Sequence, residues 1–87
     1  MKTLEEATDR IRGELNSVKA INDSLFYLSF TNEYLPFLKK NYSPEEFIKN
    51  SRDIFIEISK VRPHLIEEPE SDRDWIELQK WFKNKKE

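Results

Sequence analysis

The chain has no cysteine, which closes off both a disulfide framework and a thiolate metal site. It has a single glycine, Gly13, among 87 residues. Small strand-rich domains use glycine in their turns, so this scarcity favours helices joined by few connections. One glycine also cannot supply a GxGxxG, GxxxxGKS/T or GxSxG motif. His64 is the only histidine, and no HExxH, ExxH or DxDxDG spacing occurs. The expectation is a protein that is not an enzyme and that carries no catalytic residues, no metal and no cofactor. No segment approaches the ~20 apolar residues that span a bilayer. The opening MKTLEEATDR lacks the apolar stretch of a secretory signal. The expected setting is therefore soluble and cytoplasmic.

What the chain does hold is charged and hydrophobic side chains, each at 37% of residues. A chain this short buries roughly 60–65% of the surface its unfolded form exposes, so one domain spanning 1–87 with a thin stability margin is expected. Net charge is −2, which gives no general affinity for nucleic acid. The charge is uneven: residues 1–62 balance ten acids against ten bases, while 63–74 hold five acids against Arg73. Residues 75–87 reverse this, with four lysines against two glutamates. Lys, Glu, Asn, Ile, Phe and Tyr are abundant and Ala and Gly scarce. Their codons are AT-rich, which points to a low-GC bacterium or its phage.

The apolar residues recur with a helical period. Thr3 reads as an N-cap with Glu6 closing a capping box, and Leu4, Ala7, Ile11, Leu15, Val18 and Ile21 share one face. The stripe runs in phase to Leu25 and Leu28. Asn22-Asp23-Ser24 are poor helix formers, so two readings stand: one long helix over about 3–31, or two helices with a turn at 22–24. No Gly or Pro lies between 14 and 35, which favours continuity. Pro36 then requires the helix to end near 31–35 or to kink. In NYSPEEF, Ser43 is an N-cap, Pro44 the first helical residue and Glu46 the capping-box partner. The helix it opens carries Phe47, Ile48, Ser51, Ile54, Phe55, Ile58 and Val61 on one side and stops before Pro63. Leu65 and Ile66 of the connection tuck against the rest. Ser71 caps a last helix with Trp75, Ile76, Leu78, Trp81 and Phe82. The predicted fold is all-α, a three- to four-helix antiparallel bundle. Its expected core is Ile11, Leu15, Val18, Leu25, Leu28, Phe47, Ile54, Ile58, Leu78 and one tryptophan.

Residues 24–40, SLFYLSFTNEYLPFLKK, hold five aromatic rings in seventeen positions. As one helix they would spread apolar groups over roughly 200°, twice the arc a surface helix buries. A central helix touching two neighbours explains most of this, and the remainder is available to a partner. The expected partner-binding residues are Tyr27, Tyr34, Tyr42 and Trp81, whose polar edges suit an interface rim, with Glu67, Glu68 and Glu70 steering encounter. The expected function is that of a small non-catalytic binding protein, an inhibitor, immunity protein or adaptor of phage or mobile-element type, which masks a surface on a larger protein. The alternative is nucleic-acid association through Trp81 with Lys80, Lys83, Lys85 and Lys86. A third reading is a homodimer through the near-heptad stripe from Leu4 to Leu28. His64, at a helix end, reads as a favourable charge there rather than a catalytic group.

Overall fold

A computed structural model describes residues 3–17 and 23–85. The described residues are all-α, with no strand. In order they form α1 (Leu4–Asn16), α2 (Asp23–Ser29), a π-helical segment (Phe30–Tyr34), α3 (Leu35–Asn41), α4 (Pro44–Val61), α5 (Pro63–Glu67) and α6 (Arg73–Lys85). Val18, Ile21 and Lys86, singled out above, lie outside the described residues.

Local chemistry sets most of the boundaries. Thr3 Oγ1 accepts from the Glu6 N–H at 3.1 Å and starts α1. Ser43 Oγ accepts from the Glu46 N–H at 3.3 Å and donates to the Glu46 carboxylate at 3.1 Å, with Pro44 in the first turn of α4. Arg62 leaves the helical region (φ −134°, ψ 67°) immediately before Pro63, as a pre-proline residue should. α6 begins one residue later than expected. Asp72, not Ser71, caps it, because the Asp72 carboxylate accepts from the Trp75 N–H at 3.0 Å.

Two features depart from the periodic pattern. Ser17 is extended (φ −71°, ψ 126°), so α1 stops at Asn16, short of the 3–31 span. With the helix broken there, the stripe loses its phase. Leu25 and Leu28 are 52% and 47% exposed, and Phe26 is buried in their place. The second departure is at Pro36, where the path neither ends nor breaks. It runs from α2 through the π segment into α3, and the Leu35 N–H donates back to the Phe30 carbonyl, five residues away. The wider turn accommodates the Pro36 ring, which in a regular α-helix would press on the carbonyl of Asn32.

The core forms around Trp75. Its ring meets Tyr27, Phe30 and Phe55 edge-on at centroid distances of 5.1, 5.4 and 5.2 Å. Such geometry is favourable beyond the area buried. Phe82, seven residues on, packs edge-on against Phe55 at 5.8 Å. Around this cluster lie Ile11 and Leu15 of α1, Tyr34, Leu35 and Leu38, Ile54 and Ile58 of α4, Leu65 and Ile66 of α5, and Leu78 of α6. Phe47 is only partly buried against it. α4 is the central element: α1, α3, α5 and α6 all pack on it. Ile48 and Val61, expected on its buried side, are 44% and 47% exposed, since they lie at the edges of an apolar arc wider than its neighbours cover.

Candidate functional site

Side chains of α4 and α6 line an open groove of about 600 Å³. Phe47, Ile48 and Leu78 give it an apolar floor, and Trp81 forms a wall beside Arg52. Each is there for a local reason. Phe47 and Ile48 follow the Ser43 cap by one turn. Leu78 and Trp81 are three apart on α6 and so share a face. The Arg52 guanidinium carbon lies 4.8 Å from the Trp81 ring centre, and Lys85 Nζ lies 5.3 Å from it. At the groove's other end Lys39 Nζ pairs with Asp74 at 2.6 Å and lies 5.4 Å from the Phe47 ring centre.

The residues expected to bind a partner are not brought together. Trp81 lines the groove, but none of Tyr27, Tyr42, Glu67, Glu68 and Glu70 does. Tyr34 is withdrawn altogether: it is 0% exposed, with its hydroxyl 3.3 Å from Thr8 Oγ1. Burial pushes its ionisation above the ordinary tyrosine value, against the smaller opposing pull of the Thr8 hydrogen bond. Tyr27 is half-buried, and its hydroxyl accepts from the Asp72 N–H at 3.0 Å, fixing the start of α6. Its pKa is also raised by burial, which outweighs that hydrogen bond. Tyr42 is half-buried at the end of α3, edge-on to Phe37 at 6.2 Å. Glu67 and Glu68 are exposed, while Glu70 is partly covered, and its pKa is raised by burial and then by Glu68. The Gln79 amide pins this acidic connection, donating to the Ile66 and Glu68 carbonyls at 2.8 Å each.

Lys80, Lys83 and Lys85 are exposed on α6. A base stacking on Trp81 would have to compete with the cations already over its ring. His64 Nε2 donates to Asp23 Oδ2 at 2.6 Å, so its role is a tie between helix ends. Among the described residues, no three side chains of metal-ligating type converge and no helix is long and apolar enough to cross a membrane.

Sequence reasoning missed Ile48 and Arg52 as site residues. Ile48 reads in the sequence only as one of the apolar residues along one side of α4, and Arg52 gains meaning only from the approach of α6. The one legible signal was Trp81, a ring left over after Trp75 and Phe82 had claimed the buried face. A second groove, about 440 Å³, lies beside the exposed Leu25 and Leu28 and is edged by Glu14. Glu14 Oε1 accepts from Ser29 Oγ at 3.2 Å. No family model, curated protein or solved structure matches the chain.

Proposed function

We propose that this chain is a small non-catalytic protein that binds a larger protein and masks part of its surface, as an inhibitor, immunity protein or adaptor does. A helical bundle is its scaffold, and the α4–α6 groove is its contact face. The observation that carries the reading is Trp81 standing over an open apolar groove beside the 44% exposed Ile48. Interfaces draw their energy from a few such aromatic and arginine anchors in partly enclosed positions. The AT-rich residue bias fits a phage or mobile-element origin.

The test is a photo-crosslinking side chain placed at Asn84, on the groove, and separately at Asp9 on α1, in the full chain expressed in its source cell. The expected result is one dominant protein adduct from position 84, absent from position 9 and abolished by Ile48→Glu. A chain that is monomeric, with no adduct at 84 above that at 9, overturns the reading. Nucleic-acid association has the exposed Lys80, Lys83 and Lys85 in its favour. Low-salt gel retention that weakens steeply with added salt would establish it instead.

A further inference from the structure

The occupant of the α4–α6 groove has a definable chemistry. Arg10, Arg12 and Arg62 each meet a carboxylate of the chain, at 3.2, 2.8 and 2.7 Å. Arg52 meets none among the described residues, although it is half-buried in the groove wall. Its own helix offers none either: three and four residues away stand Ile48, Lys49, Phe55 and Ile56. The groove's two carboxylates face other cations, Asp74 with Lys39 at 2.6 Å and Glu77 with Lys80 at 3.8 Å. With its carbon 4.8 Å from the Trp81 ring centre, the Arg52 guanidinium still has N–H donors that can form the fork that matches a carboxylate. Lys85, whose Nζ lies 5.3 Å from the centre of the same ring, is exposed and adds positive charge to that rim.

Shape narrows the occupant further. The α6 wall runs from Asp74 to Asn84, roughly 15 Å at 1.5 Å per residue, or about three helical turns. Both walls are helices whose backbone groups are already paired, so the groove offers side chains only. An extended peptide would lie there with its own N–H and C=O groups unmatched, whereas a helix brings its backbone satisfied.

We infer that the groove receives an acidic amphipathic helix of the partner protein, its apolar side chains seated between Ile48 and Trp81 and one Asp or Glu carboxylate held by Arg52. This rests on the binding-protein reading above. The probe is a displayed library of three-turn amphipathic helices, apolar on one face and randomised on the other, selected on the immobilised full chain. The expected pool is rich in Asp or Glu flanking the apolar face, and its binding changes Trp81 emission. Arg52→Ala should weaken that pool about tenfold or more, as loss of a hydrogen bond to a charged group does. Arg52→Lys should fall between, because it restores charge without the fork. Both variants should keep the wild-type melting temperature to within a few degrees, since Arg52 has no ion pair to lose. A pool that is basic or indifferent to charge, a pool that binds Arg52→Ala equally, or no enrichment over Ile48→Glu would each overturn the inference. The crosslink at Asn84 separates the two proposals. An adduct undiminished by Arg52→Ala keeps the binding protein and discards the acidic helix, whereas no adduct from the wild-type chain discards the binding protein itself.

Discussion

Asp23 and Arg62, thirty-nine residues apart, meet with Arg62 Nη1 2.7 Å from Asp23 Oδ1. The contact joins the first turn of α2 to the joint between α4 and α5. Asp23 Oδ2 takes a second bond from His64, and Arg62 Nε donates to the Leu15 carbonyl at 3.3 Å, near the end of α1. Three helix ends are thus tied through one carboxylate and one guanidinium. Partial burial pushes the Asp23 pKa up, but the hydrogen bonds from His64 and Arg62 outweigh it and the net value lies below the ordinary carboxylate range. A carboxyl whose folded pKa is depressed stabilises the fold above its unfolded value, about 3.9, and loses that contribution as pH falls through the folded value. Asp23→Asn should therefore lower the urea midpoint at pH 5–6, and the gap to wild type should close as pH drops below about 4. A gap independent of pH down to 2 would show that the charge contributes nothing.

Gly13 is exposed in the last turn of α1, and a Cβ built on it meets nothing within 4 Å. Its backbone is helical and no neighbour needs the space, so the glycine only adds conformational freedom to the unfolded chain. Gly13→Ala should raise stability by about 0.5–1 kcal/mol, which in a domain of this size is a rise of roughly 2–8 °C in Tm. Thermal unfolding followed by circular dichroism measures it. A neutral or negative result would mean that α1 is not helical at this position.

The two tryptophans should behave as opposites. Trp75 is 0% exposed among three rings, while Trp81 stands on the groove. In Trp81→Phe the remaining emission should be blue-shifted and nearly inaccessible to acrylamide, and in Trp75→Phe it should be readily quenched. Trp75→Ala should cost about 3–5 kcal/mol, enough to unfold much of a domain whose margin is only a few kcal/mol. Trp81→Ala should cost under about 1 kcal/mol, as surface changes usually do. Equal quenching of the two rings would remove the distinction between core and groove.

What could be read from the sequence divides along a physical line. Signals confined to a few neighbours were legible: the Thr3 and Ser43 caps, the stop before Pro63, and the buried stripe of Ile11, Leu15, Ile54 and Ile58. The halt at Ser17 was not, because no Gly or Pro marks it and the apolar stripe continues past it. The π segment leaves no periodic signature either, and Pro36 announced a disturbance without its form. Tyr34 was misplaced for a tertiary reason. Its hydroxyl suggested a wet rim, but the partner is Thr8, twenty-six residues earlier, and with that bond made the ring is fully enclosed. The groove was illegible for the same reason, since Arg52 and Trp81 are unrelated in sequence until α6 lies on α4.

The phase change after Ser17 yields the sharpest contrast between neighbours. Phe30 is 0% exposed and touches Phe26, Tyr34 and Trp75, with centroids at 6.3, 5.5 and 5.4 Å. Leu25 and Leu28, in register with the α1 stripe, are about half exposed. Phe30→Ala should cost about 3–5 kcal/mol through the lost burial and the cavity left among those rings. Leu25→Ser and Leu28→Ser should each cost under about 1 kcal/mol, because little area returns to water. Had the stripe run unbroken, the order would be reversed. The same double substitution bears on self-association: a homodimer built on the Leu4-to-Leu28 seam would dissociate when Leu25 and Leu28 become serine. The break at Ser17 splits that seam, so sedimentation should give the same mass for wild type and the double variant. A dimer that falls apart in the variant would restore the seam and place the contact face on α2 instead of between α4 and α6.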